Sequence, residues 1–245
     1  MTLLKEQDFR DIKDTILDGR LNQSSILTFL IGILVFTGGA IGIALFVANA
    51  NTIGWDTLSD TWHFIFYVEA VLFSIHILLI LLGFINNHVI HRLLIIMMVL
   101  FSYKLVIDPF IAMLMFAKDV DAYETYLPPV ISILVIGFLL HFVLVFKKFY
   151  DIRQENNQNQ SEKKSKVNWV IIFFFVVLTG LLLNSGVLGA NDMTFGLVLF
   201  TALLIVMLIG AVEFVVAAYC VIRFPSFLDS TSKKVQMQKK KKQKR

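Results

Sequence analysis

Six ionisable residues stand inside long apolar runs of this 245-residue chain, where a charge is costly to bury. They are Glu69, His76, Lys104, Asp108, His141 and Glu213. A charged side chain at the centre of a bilayer costs about 3 kcal/mol on insertion scales, so such residues mark ion or proton pathways or bonded contacts between helices. These six form the candidate intramembrane polar network.

The spacing of these residues predicts which of them meet. Lys104 and Asp108 are four residues apart and therefore neighbours on one helical face. Glu69 and His76, seven apart, share a face of another helix. The counter-charge of Lys104 is therefore predicted to be Asp108 on its own helix, or Glu213 or Glu69 on another.

Two interpretations of the network stay open at this stage. In the first, Glu213 and Asp108 neutralise Lys104 and the polar side chains fasten the bundle. In the second, Glu213, Lys104 and His76 form an ion or proton site near the midplane, with Glu69 and Asp108 at its outer mouth. Counting from the cytoplasmic helix ends places the three midplane residues about 15–18 Å deep.

The elements that carry these residues are predicted transmembrane helices. The chain is 57% hydrophobic and 16% charged, whereas about a quarter of a soluble domain is charged. Apolar runs of about 18 residues or more indicate membrane spans. We therefore predict an all-α integral membrane protein, a six-helix bundle. The spans are about 26–48, 62–85, 92–116, 128–147, 168–188 and 195–222, with Pro128-Pro129 opening the fourth.

The charges of the loops predict the orientation. The segments 49–61 and 184–194 contain no lysine or arginine, and 117–127 contains only Lys118. The alternate segments are rich in basic residues. By the positive-inside rule, both termini are expected in the cytoplasm.

Three regions are predicted along the chain. They are a cytoplasmic amphipathic helix (1–23), a transmembrane domain (24–225) with a polar cytoplasmic loop (148–167), and a basic disordered tail (226–245). In the first, Phe9, Ile12 and Ile16 share one face. That face is expected to pack on the membrane surface, on the protein's own loops or on a partner. The tail is expected to attract acidic lipid headgroups, at about 1 kcal/mol per charge, and no nucleic acid.

Signatures of enzymes are absent from the sequence. There is no Walker A loop, no Gly-x-Ser-x-Gly elbow and no His-Glu-x-x-His helix. His88 and His91 have no third ligand nearby in sequence. We therefore expect a non-enzymatic protein without a cofactor or metal.

An offset of 142 residues suggests an internal repeat. It aligns Thr37-Gly38 with Thr179-Gly180, and a further shift of two aligns Val68-Glu69 with Val212-Glu213. Both hairpins run in the same direction, so the hypothesis is a parallel repeat, as in some transporters.

The layout resembles one group of bacterial proteins. Lysine outnumbers arginine sixteen to six, and isoleucine, phenylalanine and asparagine are abundant, as in low-GC Gram-positive bacteria. An N-terminal helix (Leu3 to Leu21), six spans and a Lys-rich tail are similar to small polytopic proteins of type VII secretion loci. That resemblance implies a plasma-membrane protein that acts through intramembrane contacts, as a secretion accessory or a toxin-immunity factor. Another membrane protein or a secreted toxin is then the expected partner.

The alternative is a small ion-coupled transporter that uses the midplane charges. The length and the N-terminal helix also resemble the permease subunits of bacteriocin-immunity ABC exporters. Five acids in that helix and the short turn 86–92 depart from their pattern.

Overall fold

A computed structural model describes residues 5–17, 19–50, 54–155 and 192–228, and these ranges contain helices and no strand. The α-helices of these ranges are α1 (Arg10–Leu17), α2 (Gln23–Ala50), α3 (Asp60–Gly83), α4 (His88–Asp119), α5 (Tyr123–Glu155) and α6 (Asp192–Arg223). Short 3-10 turns cover Glu6–Phe9, Trp55–Thr57 and Pro225–Leu228.

Five of the described helices, α2 to α6, are long and apolar enough to cross a membrane. The all-helical, multi-pass architecture predicted from the sequence agrees with them. The predicted span 168–188, most of the loop 148–167 and nearly all of the basic tail 226–245 lie outside the described residues. The proposed repeat also falls partly outside them, because it needs residues 179 to 191.

The central element is α4, which is the most buried of the five long helices. It packs against α2, α3, α5 and α6. Along α2 it runs in parallel, because Leu30 and Leu94 share one apolar cluster while Val47 and Met115 share another further on. Burial in lipid removes the hydrophobic driving force between helices, so this packing is stabilised by close van der Waals contact and hydrogen bonds.

The bundle has two ends, which we name by their contents. The N-terminal face is the end where residues 5–22 pack, together with the C-terminal ends of α3, α5 and α6. The opposite face carries the 3-10 turn Trp55–Thr57 and the beginnings of α3 and α5. Phe149 of α5 reaches Phe9 at the N-terminal face, whereas Tyr123 lies against Trp62 at the opposite face.

Helices α5 and α6 lie side by side and run in the same direction. The Tyr126 hydroxyl is 3.1 Å from that of Thr194 near the beginning of both helices. Further along, Gly137 lets α6 approach, because a Cβ atom there would lie 2.6 Å from Cδ2 of Leu204. The chain therefore leaves α5 at the N-terminal face and begins α6 at the opposite face.

The predicted limits of the fourth span are wrong at both ends. We expected a helix over 128–147, but α5 runs from Tyr123 to Glu155. Pro128 and Pro129 lie inside α5 instead of opening it. The helix begins earlier because a turn with Asp121 at φ 56° precedes it and Tyr123 packs its ring on Trp62. At the other end helical geometry continues for eight residues beyond 147, a stretch that includes Lys148, Asp151 and Arg153 and that hydropathy alone assigns to a loop.

The N-terminal segment packs on the bundle itself, which was one of the alternatives for its apolar face. It is a 3-10 turn followed by α1, not one continuous helix over 1–23. Phe9 and Ile16 are fully buried, and the Phe9 ring contacts those of Tyr219 and Phe224. Lys13 Nζ donates to Glu6 at 2.8 Å and holds the pKa of Glu6 below its usual value.

Candidate functional site

Three of the six predicted polar residues meet between α3 and α4. Lys104 Nζ donates to Oε2 of Glu69 on α3 and to Oδ2 of Asp108, one turn further along α4. Lys104 lies at the middle of the 32-residue α4. The side chains of Lys104, Glu69 and Asp108, which we call the triad, therefore join two helices deep within the bundle.

The triad is closed to its surroundings. Exposure is 7% for Glu69, 6% for Lys104 and 0% for Asp108. Apolar clusters flank it towards both faces, with Ile80 and Met98 on one side and Phe66 and Ala112 on the other. A low-dielectric setting of this kind strengthens the attraction between the charges, and it makes an unpaired charge costly.

The charges of the triad do not balance when all three groups are ionised. Two carboxylates share one ammonium, so one negative charge is left over. Oδ1 of Asp108 is buried and has no hydrogen-bond partner among the described residues. The site can therefore take up one more positive charge, and this is the chemistry that the arrangement offers.

His76 lies on α3, two turns from Glu69 towards the N-terminal face. Its ring is fully buried and stacks on that of Phe101 with 3.8 Å between centroids. Within the described ranges neither ring nitrogen has a hydrogen-bond partner, and the carbonyl of Leu30 on α2 is near the ring without hydrogen-bond geometry. A buried polar group without a partner destabilises the fold by on the order of 1–3 kcal/mol. The presence of His76 at this position therefore needs an explanation.

His141 belongs to a separate contact on the other side of α4. Its Nδ1 is 2.8 Å from the carbonyl oxygen of Leu208 on α6, and its Nε2 is 2.9 Å from the hydroxyl of Tyr103 on α4. Because a carbonyl only accepts, Nδ1 carries the proton and Nε2 accepts from the tyrosine in the neutral ring. This contact ties α4, α5 and α6 together with both nitrogens satisfied.

Glu213 is not a partner of Lys104, although the sequence offered it as one. It pairs with Arg20, whose Nε lies 3.1 Å from Oε1 of Glu213. Arg20 precedes α2 at the N-terminal face, and Phe214 next to Glu213 packs on Phe29 near the start of that helix. The predicted midplane site of Glu213, Lys104 and His76 is therefore wrong for Glu213, because this residue pairs with Arg20 and not with Lys104.

Tyr103 and Arg20 are site residues that the sequence prediction missed. Tyr103 gave a signal, since a tyrosine at the middle of an apolar helix lies far from the interfacial belts where this residue usually sits. Arg20 gave none, because its partner is 193 residues away in sequence.

Among the described residues, no group of three or more histidine, cysteine, aspartate or glutamate side chains has a geometry that could hold a metal ion. The two fully buried hydroxyls of α2 and α4, Thr37 and Ser102, donate to carbonyls of their own helices. The site is thus a buried charge cluster. Comparison with known protein families, with curated proteins and with solved structures finds no match for this chain.

Proposed function

We propose that the chain is a small ion-coupled membrane transporter whose ion site is the triad of Glu69, Lys104 and Asp108. The observation that supports this is the unbalanced negative charge in a buried site. A polar contact that only fastens two helices needs one carboxylate for one ammonium. The second carboxylate is costly in a bilayer, and a site that binds and releases a cation has a use for it.

The topology that we propose has six spans with both termini in the cytoplasm. Parallel neighbours α5 and α6 support it, because the chain between them returns from one face to the other, and the predicted span 168–188 is long enough for that. Basic residues support the orientation. At or near the N-terminal face lie Lys5, Arg10, Lys13, Arg20, Arg92, Lys147, Lys148, Arg153 and Arg223, while Lys118 lies near the opposite face. A bacterial plasma membrane is the proposed location.

Flux in proteoliposomes tests the transport proposal. The native protein is compared with Glu69→Gln, Lys104→Met and Asp108→Asn under imposed proton, sodium or potassium gradients. Lys118→Met and Glu124→Gln serve as matched controls, since they remove the same charges at the opposite face. Flux that persists in the controls and is lost in the folded triad variants supports the proposal, and absence of flux under every gradient contradicts it.

The second candidate is a secretion accessory or toxin-immunity factor that acts through contacts within the bilayer. The favouring observation is α5, which leaves a broad apolar face uncovered by the described residues. Its exposed side chains include Ile131, Val135, Leu139, Phe142 and Phe146. Lipid, another membrane protein or the predicted span 168–188 is available to cover such a face. Survival of toxin-treated cells that is the same with and without the protein would remove the immunity version.

A further inference from the structure

The identity of the bound ion follows from the atoms that surround the triad. We propose that the triad binds a proton, not a metal cation, and that His76 is the group through which this proton is exchanged. The inference rests on the proposed function only in taking the triad as the ion site. Binding itself is measurable without any transport.

Metal cations are disfavoured because the triad offers too few oxygen ligands. Hard cations in proteins take about six oxygen atoms. Glu69 and Asp108 supply four carboxylate oxygens, and the Lys104 ammonium already occupies one oxygen of each. Thr37 and Ser102 are committed to backbone carbonyls. A proton needs one free lone pair, and the unpartnered Oδ1 of Asp108 provides it.

Within the part of the chain that the structure describes, no other titratable group of the neighbouring helices balances the triad. Helix α2 contains no titratable residue between Gln23 and Ala50. From α4 the groups that face Glu69 are Lys104 and Asp108, because Tyr103 bonds to His141 on the other side. On α3 itself the nearby group is His76. The triad therefore reaches neutrality when one proton is shared by its two carboxyl groups.

His76 is placed to pass that proton on. It lies on the same helix as Glu69, about 10 Å away at the helical rise, and towards the N-terminal face. A neutral imidazole accepts a proton at one nitrogen and releases one from the other, and both nitrogens of His76 are unpartnered. Exchange over this distance needs water molecules that enter transiently between the two groups. The carboxyl group then gives its proton to one of them, another gives a proton to one imidazole nitrogen, and the other nitrogen releases its proton to water on the side of the N-terminal face.

Infrared spectroscopy of the folded protein in nanodiscs tests the proton count. At neutral pH the native protein should show a carbonyl stretching band of one protonated carboxyl group. Glu69→Gln and Asp108→Asn should each lose it, since one carboxylate then matches Lys104. Lys104→Met should roughly double it, because both carboxyl groups then need a proton. Glu124→Gln is the control and should leave the band unchanged.

Two results overturn the proton assignment. One is a native protein without the band, and the other is a band that sodium or potassium ions remove at constant pH. A sodium-driven flux without the band would overturn this inference and leave the transport proposal standing. A band that behaves as expected in a protein without any flux would support the proton site and contradict transport.

Hydrogen–deuterium exchange of the same band tests His76. His76→Phe keeps an aromatic ring beside Phe101, so the fold and the intensity of the carboxyl band should be unchanged. Exchange of the carboxyl proton should slow by at least about tenfold, since a positioned acid–base group contributes on the order of a hundredfold or more. His63→Phe is the matched control. An exchange rate equal to that of the native protein would overturn the role of His76.

Discussion

Replacing Lys104 with methionine keeps the length of the side chain and removes the ammonium group that two buried carboxylates share. Lys104 is 6% exposed and Asp108 is fully buried, so water does not replace the lost partner. Removing one member of a buried ion pair costs about 3–5 kcal/mol, because the remaining carboxylate either stays uncompensated or has to take up a proton. We expect the free energy of unfolding of Lys104→Met to fall by that amount at neutral pH.

The matched comparison is Lys118→Met, at the far end of the same helix. Lys118 lies over the ring of Tyr123 at 5.6 Å, a contact worth about 0.5–1 kcal/mol at an exposed site. Denaturant titration of both variants in mixed micelles, followed by circular dichroism, gives the two free energies of unfolding. The triple variant Lys104→Met, Glu69→Gln, Asp108→Asn should recover most of the loss, because it leaves no charge in the site.

The dependence on pH separates a proton site from a permanent ion pair. A proton that the folded state binds and the unfolded state lacks stabilises the protein at low pH, and this stabilisation is lost as the pH rises. Each such proton contributes a slope of about −1.4 kcal/mol per pH unit. Near neutral pH, the free energy of unfolding of Asp108→Asn should therefore fall less steeply with pH than that of the native protein, by about that slope. The free energy of unfolding of Lys104→Met should fall more steeply with pH, by the same amount.

Equal stability losses in Lys104→Met and Lys118→Met would refute the reasoning about the triad. So would a triple variant as unstable as Lys104→Met alone. Parallel pH profiles of the native protein and Asp108→Asn would show that the folded state holds no extra proton there, whatever the flux measurements give.

Three further predictions concern the rest of the bundle. Gly137→Val should destabilise the protein by about 1–3 kcal/mol in the same titration, since its Cβ would overlap a leucine of α6, and an unchanged stability would mean that α5 and α6 are further apart. Tyr103→Phe should cost roughly 0.6 kcal/mol, typical of a hydrogen bond within a membrane, and the loss should vanish in a His141→Leu background. A double-mutant cycle of Arg20→Met and Glu213→Gln should give a coupling below about 1 kcal/mol that weakens with salt, because Arg20 is exposed.

Hydropathy and spacing predicted the parts of the structure that depend on local sequence. Of the five predicted spans besides the fourth, four overlap described helices and 168–188 lies outside the described residues, so the central positions are right wherever the structure describes them. The pair of Lys104 and Asp108 was predictable, because four residues make one helical turn. The ends of the helices were not predictable from hydropathy, since polar residues such as Asp151 and Arg153 continue the helix without being apolar.

Contacts between helices far apart in sequence required the structure. Residue counting placed Glu213 at the depth of Lys104 and Glu69 further out, but such counting fixes depth only if every helix ends where its apolar run ends. In the structure Glu213 of α6 forms an ion pair with Arg20, which lies at the N-terminal face. Which acid pairs with Lys104 depends on which helices are neighbours. The apolar surfaces of the helices do not allow that arrangement to be predicted from the sequence.

Two polar contacts at the middle of α4 lie on adjacent residues and point to different neighbours. Lys104 is bonded to α3 by charges that change when a proton binds, whereas Tyr103 is bonded to α5 and α6 through an imidazole with both nitrogens occupied. Proton binding at the triad therefore changes the charges between α3 and α4 and leaves the contact of α4 with α5 and α6 unchanged. If the protein moves as it binds and releases a proton, α3 is the helix that should move.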